Sequence, residues 1–546
     1  MNQPITVFKA KQIITMNPQQ PVATAVAVKD GKILSVGDIE TIQPWLTRYP
    51  HTVDDRFADA VLLPGFVEAH MHPQVTGVLW KKVYVGFFDR VSPDGTLYKG
   101  LESKAEVLAT LKEAVAQKKQ KGDTTWLLAW GYQSEFYNNE GLTVDDLDPI
   151  LDGLSAVVEN ASMHIYYVSS TVLEKLSLTP ASNIPGIMVK DGKLTGELAE
   201  FEAMKRLATL LPPISLQFMQ GITRDVAKLV QRRGITTMAD ASFGTLPESY
   251  DAYRNEAEKD DFPVRTVLFP IIDMVKAKGG AAYLKMMHAQ NNDMLACGPV
   301  KFVVDGSIQG YTANLRWPFY LNGSNGIENI TPEALAQDLL LVHQAGYQAA
   351  LHVNGDQAIE SAIDALAKVL DEVPRFDHRH RLEHNQMVTE NQLMRMAMLG
   401  IATNLFVNHV HYWGDLHVNE FLGYDRAQRL NPANSALAHG VRFAFHSDAS
   451  VTEADPLMTV WIAVTRKTLS GNVLGADECI SVYEALRAVT IDAAYLLFQD
   501  DVKGSIEVGK FADFVVLDKD PLAVPIDDIP HINVKATVLG GKVFPV

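Results

Sequence analysis

Cysteine is nearly absent from this chain. Only Cys297 and Cys479 occur in 546 residues, so no disulfide framework can hold the fold and a reducing compartment is expected. No apolar run approaches the length of about 20 residues that a membrane-spanning helix needs. The opening segment Met1-Asn2-Gln3-Pro4-Ile5-Thr6 carries no basic stretch followed by an apolar one, so no secretory leader is visible and a cytoplasmic location is expected. Lysine and arginine are not clustered. The formal net charge is −17, with the acidic residues dispersed, which excludes a basic nucleic-acid-binding face. Hydrophobic residues at 47% and charged residues at 21% describe an ordinary globular chain with ample core. Neither nucleic acid nor membrane is expected as a partner.

The two ends of the chain share a texture. Ile5–Ala10, Ala23–Val28 and Ile33–Gly37 read as short strands, with Asp30-Gly31 supplying a hairpin turn. Gly504–Leu517 and Ala536–Phe544 read as strands broken by glycine turns. This pattern predicts a composite β-sandwich domain from residues 1–64 and 492–546.

The middle alternates strands and helices. Eight apolar strands are expected at 65–70, 234–240, 264–269, 300–305, 348–352, 380–384, 401–405 and 442–448. Thr331-Pro332 opens a helix that Gly346 closes, Asp356–Leu370 is amphipathic, and Thr389 and Gly400 bracket a third. Eight such units predict an α/β fold of the (β/α)8 TIM-barrel type over residues 65–491, with its site at the C-terminal strand ends. The stretch from about 75 to 220 is too long for one connecting helix. It predicts an insertion subdomain folded over the barrel mouth.

The most informative motif is His70-Met71-His72. Residues i and i+2 of a strand face the same side, so both imidazoles project together and can share a metal ion. Further donors stand at other strand ends: Lys301 in the fourth strand, His352 ending the fifth, His384 ending the sixth and Asp448 ending the eighth. Each has a plain alternative. His352 or His384 alone reads as a core histidine, Asp448 alone as a helix N-cap, and Lys301 as a buried stem paired with Asp305. Their order along eight barrel strands favours one converging metal site.

These motifs resemble those of the metal-dependent amidohydrolase superfamily, and within it the YtcJ-like amidohydrolases (amidohydrolase family 3). The resemblance rests on Pro64-Gly65-Phe66 with His70-Met71-His72-Pro73, on Asp305-Gly306-Ser307-Ile308 and on His352-Val353-Asn354-Gly355-Asp356. It continues through Glu383-His384, Ser447-Asp448 with Asp455-Pro456-Leu457, and Gly509-Lys510-Phe511-Ala512-Asp513. His164, within Ser162-Met163-His164, resembles the family's insertion-domain histidine near the substrate. The resemblance implies one metal held by His70, His72 and Asp448 and a second by His352 and His384. Lys301, carboxylated on its amine to N6-carboxylysine, would bridge them; without the carbamate one metal remains, and Asp305 is the rival bridging carboxylate. Zinc is the metal expected. A homodimer is compatible with the resemblance.

The donor types imply hydrolysis by an activated water, with Asp448 moving the water's proton to the leaving group and His384 or His164 stabilising the oxyanion. The leading expectation is cleavage of a C–N bond in an amide, N-acyl amine or cyclic amide. Ester or other C–O hydrolysis and deamination stand beside it on the same site, and a non-catalytic binding barrel and a redox iron site stand further off. His446 faces the side of Asp448 and reads either as a substrate contact or as barrel filler. His409 and His411 form a second His-x-His, expected on a loop beside Trp413. His411, Trp413, Tyr311 and Trp317, with Arg316, are candidates to line the substrate pocket.

Overall fold

The computed structural model describes residues 4–182, 184–208, 210–211 and 214–546. Two compact units emerge: residues 1–73 with 226–546, and residues 74–225. No helix among the described residues is long and apolar enough to cross a membrane.

In the first unit all eight expected parallel strands are present. They are Phe66–Met71, Ile235–Phe243, Arg265–Pro270, Val300–Val303, Ala349–Val353, Arg381–His384, Ala402–Leu405 and Phe443–Phe445, numbered here from first to eighth. Their hydrogen bonding does not run around a closed circle. Strands one to three, with the short Leu295–Cys297, form one arc; strands four to eight form another. At one seam a side chain replaces the ladder: the Glu68 carboxylate accepts the Ser447 N–H at 3.2 Å. At the other, a single bridge between Ile271 and Lys301 takes its place. The expected closed ladder is thus corrected to two arcs, because the Glu68 carboxylate takes the Ser447 amide at one seam and Leu295–Cys297 occupies the outer edge of the third strand at the other.

Pro64-Gly65 earns its place sterically. A Cβ at Gly65 would lie 2.1 Å from Thr236 Oγ1, so any larger residue would push the first strand off the second. The predicted helix signals hold. The Thr331 side chain accepts from Ala334 N at the start of Pro332–Gln344, and Gly400 closes Glu390–Leu399 in the left-handed conformation.

Both chain ends join one seven-stranded sheet. Its order is Lys542–Pro545, Val534–Leu539, Phe514–Leu517, His51–Pro64, Ile5–Ile14, Val22–Lys29 and Lys32–Gly37. Hydrogen bonding is unbroken across it, so two separately stacked sheets, as a sandwich requires, are not found among the described residues. All seven strands nevertheless feed one apolar cluster, from Ile33 at one edge to Val543 at the other. The sheet curls until the Asp30-Gly31 turn meets Gly540, whose carbonyl oxygen lies 3.6 Å from the Cβ position of Gly31. His51–Pro64 is far longer than the short strands expected there, and helix Ile491–Leu496 lies across the expected boundary at 491/492.

The second unit, residues 74–225, holds a six-stranded mixed sheet. Within it Leu127–Tyr132 and Ala156–Asn160 pair in parallel. Helix Lys104–Gln120 opens on a capping box from Ser103 and Glu106 and buries Val107, Leu111 and Val115.

Candidate metal centre

Period-2 pleating lines up two rows across strands four to eight. Lys301, Ala350, Arg381 and Ala402 form one; His352, Glu383, Asn404 and Ala444 form the next. The alanines leave room for Arg381. This fully buried guanidinium donates to Glu383 Oε1 at 2.5 Å, to Ala69 O and to Leu496 O, both at 2.9 Å. The other oxygen of Glu383 meets His70 Nδ1 at 2.5 Å and accepts from Asn404 Nδ2 at 3.0 Å. A carboxylate on Nδ1 orients the His70 ring and presents Nε2 as a donor to an ion. Sequence reasoning gave no role to Glu383, Arg381 or Asn404. The signal was available, since charged residues alternating within an apolar strand must be paired if buried.

Around His70 the expected donors gather. Its Nε2 lies 3.2 Å from Lys301 Nζ and 3.5 Å from Asp448 Oδ1. His72 Nε2 lies 3.1 Å from the same carboxylate oxygen, and His384 Nδ1 lies 3.8 Å from Asp448 Oδ2. The rings of His384 and His352 are 4.4 Å apart, and those of His384 and His70 are 4.9 Å apart. His352 Nε2 faces Gly306 O and Asn354 Nδ2, both at 3.1 Å.

Two donors reach the cluster by leaving regular geometry. His384 follows Glu383, so a regular pleat would turn it to the opposite face. Its φ of 64° breaks that alternation; Asp448, at φ 52°, behaves likewise. Left-handed backbone outside glycine stores strain and concentrates at functional sites.

Burial keeps the His70 and His384 imidazoles neutral. Burial, then the nearby Lys301, holds His70 well below its ordinary value; burial, then His352, does the same for His384. Burial pushes the Lys301 ammonium down to about 8 against the pull of Glu383 and Asp448. Burial pushes Asp448 up, but the His72 hydrogen bond and the surrounding imidazoles outweigh it and hold the carboxylate well below its usual range. Glu68 is pushed up to about 8 by burial, although the Ser447 side chain and then the Ser447 and His70 amides pull it down.

These residues fit a divalent metal. Buried ring nitrogens without hydrogen-bond partners remain on His72 (Nδ1), His384 (Nε2) and His446 (both). Buried polar groups in folded proteins are normally satisfied. Neutral imidazoles and a carboxylate are the donor set that divalent first-row metals take. Asp305, the rival bridge, is engaged elsewhere: its oxygens accept from Asn354 N, Asn314 N and Gly355 N at 2.8–3.0 Å.

Other candidates stand apart. His409, His411 and Trp413 lie on helix Asn408–Leu416, and the expected loop is corrected to a helix. On a helix i and i+2 diverge, whereas i and i+4 share a face. Thus His409 and Trp413 are buried together, while His411 Nδ1 faces Lys467 O at 2.8 Å. The i+4 spacing was the overlooked signal. Trp413 comes within one ring of the cluster, through Phe406, which stacks on His446. Tyr311 packs on Tyr320 and Phe421. Trp317 is 82% exposed and is not brought to the cluster. His164 lies in the second unit, in the turn between Ala156–Asn160 and Ile165–Val168, where its N–H donates to Ser162 Oγ at 3.3 Å.

Comparisons with known proteins agree with this geometry. A family model described as "Amidohydrolase family" matches residues 58–545. The protein YtcJ of Bacillus subtilis (strain 168) is 27% identical over 97% of this chain and 97% of its own length. The N-substituted formamide deformylase of Arthrobacter pascens is 24% identical over 96% of each chain. The crystal structure of an uncharacterized metal-dependent hydrolase from Pyrococcus horikoshii OT3 superposes with a TM-score of 0.75 at 19% identity, over 96% of this chain and 99% of that one. The chain belongs to the amidohydrolase family. It is accordingly a hydrolase acting on carbon–nitrogen bonds.

Proposed function

We propose that this protein cleaves the C–N bond of a small amide, N-acyl amine or cyclic amide at a zinc centre. The residues assigned to it are His70, His72, His352, His384 and Asp448, with Lys301 as the carbamate bridge. The observation that carries the reading is the convergence of His70 Nε2, His72 Nε2 and His384 Nδ1 on the Asp448 carboxylate, at 3.5, 3.1 and 3.8 Å. Similarity to an N-substituted formamide deformylase favours an N-acyl amine as substrate.

A divalent metal bound here acidifies water and polarises the substrate carbonyl. Asp448, ionised and directed at the cluster, accepts the water's proton and returns it to the departing nitrogen. His384 would meet the ion through Nδ1, which faces Asp448, and donate from Nε2, which has no other partner, to the oxygen on which charge develops. Glu383 and Arg381 hold His70 in one orientation. With its ammonium pushed down to about 8, Lys301 presents a fraction of free amine near neutral pH, the form that takes up carbon dioxide. The carbamate then offers an anionic oxygen where a lysine would offer a cation.

The test is a screen of zinc-loaded protein against N-formyl amines, N-acyl amino acids, aryl amides and lactams, with metal content measured alongside. About two zinc ions per chain and turnover of at least one class, abolished by a chelator and restored by zinc, are expected. Bound zinc without turnover of any class would leave a binding barrel instead.

A further inference from the structure

We propose that His446 is itself a metal ligand, joining His70 and Asp448 on one ion. The inference rests on the reading above that a metal is held here, and it adds a donor to that set. It also displaces both sequence-based roles for this residue, substrate contact and filler.

His446 follows the eighth strand, two residues before Asp448. It is 1% exposed. Its ring lies 4.7 Å from that of His70 and 4.9 Å from that of His384, and it stacks on Phe406 at 4.9 Å and 27°. The imidazole packs on the Phe406 face, tilted 34° from the ring of His70 and 60° from that of His384. Neither ring nitrogen has a hydrogen-bond partner.

That last fact separates His446 from a space-filling residue. A neutral imidazole carries one N–H donor and one acceptor nitrogen, and burying both unmade is costly. Leucine or phenylalanine would fill the same space without that penalty. Two other buried histidines each have at least one partnered ring nitrogen, although His417 Nδ1 has none. His417 Nε2 meets Gln386 Nε2 at 3.1 Å, and His378 Nε2 meets Leu399 O at 2.8 Å. An ion satisfies an acceptor nitrogen that no protein group reaches.

The geometry is also specific. Donor atoms of His70, His446 and Asp448 all lie within 4.8 Å of one another, and this is the one His/Cys/Asp/Glu group of that kind among the described residues. Bonds of about 2.1 Å around a tetrahedral ion set donors about 3.4 Å apart, so binding would draw the three inward by the order of 1 Å. With Nδ1 of His70 committed to Glu383, its Nε2 is the nitrogen left for the ion.

The test compares full-length wild type with His446→Leu, both confirmed as folded by circular dichroism. Zinc affinity is measured by competition with a chromophoric chelator, and the visible absorption of the cobalt(II)-loaded proteins is recorded. A ligand role predicts at least about tenfold weaker zinc binding and altered cobalt bands in the variant. Unchanged affinity together with an unchanged cobalt spectrum overturns the ligand role and leaves the hydrolase reading standing. A wild type that binds neither metal overturns both. Should His446→Leu not fold, anomalous diffraction from zinc-loaded wild-type crystals decides. A ring nitrogen of His446 about 2.0–2.1 Å from the ion supports the role, and one beyond about 3 Å overturns it.

Discussion

Two histidine clusters stand at opposite ends of the same parallel strands. At the N-terminal end, His343 Nδ1 meets His380 Nε2 at 2.7 Å, and His380 Nδ1 accepts from Ala349 N at 2.9 Å. His378 Nδ1 accepts from His380 N, while His343 Nε2 and His378 Nε2 face the carbonyls of Val373 and Leu399. Each of these six ring nitrogens has a partner. At the C-terminal end, His72, His384 and His446 keep ring nitrogens without one. Both clusters are rich in imidazole and largely buried, so residue type and burial do not tell them apart. Satisfaction does. The first cluster is built to hold the fold, and the second has donors left for an ion, as the division of labour between barrel ends leads one to expect.

Substitutions can break or sharpen this contrast. The largest effect is expected from Asp448→Asn, which should lower kcat/KM by about 10²–10⁴ while zinc content, measured by elemental analysis, stays near wild type. Unchanged turnover would refute the proton-transfer role. At the other end, His380→Ala strands the Ala349 N–H and a nitrogen of His343. It should cost about 2–4 kcal/mol of stability in denaturant titration and leave zinc affinity within about twofold; a large loss of affinity would erase the distinction between the clusters. Glu383→Gln bridges the comparison, because it removes the carboxylate that orients His70. Zinc binding about 10–100-fold weaker is expected, and wild-type affinity would show that Glu383 does not position the ligand.

The smallest effect concerns pH. Burial, then neighbouring imidazoles and Arg375, holds His380 well below 6.5, and burial lowers His343 and His378 too. Unfolded, each ring takes up a proton near pH 6.5; folded, it does not. Their stabilising contribution is therefore complete above about pH 6.5 and is lost as pH falls below it, at up to about 1.4 kcal/mol per pH unit for each ring. Stability of the zinc-loaded protein measured from pH 7 to 5 should decline less steeply in His380→Gln than in wild type. Parallel profiles would mean that this ring titrates alike in both states.

Much of this was legible before folding. The eight parallel strands followed from apolar runs bounded by glycine and proline, and His70-Met71-His72 followed from the period of a strand. Other features were hidden for identifiable reasons. His384 has the wrong parity for its neighbour Glu383, and only a left-handed residue turns it inward. His409 and His411 share a spacing with His70 and His72 but lie on a helix, where that spacing separates rather than unites. The curl that makes all seven terminal strands share one core depends on contacts between chain ends some 500 residues apart.

The amino-acid sequence by itself determined which donors exist and which strands carry most of them, because strand period and capping are local properties. It also carried the family motifs. Only the tertiary structure decided which imidazoles are satisfied and which are not. That property depends on pairs such as His70 with Glu383, 313 residues apart, and on backbone turns that cancel the pleat. A ring nitrogen is a ligand or a strut according to what lies within 3 Å of it, and no local pattern encodes that distance.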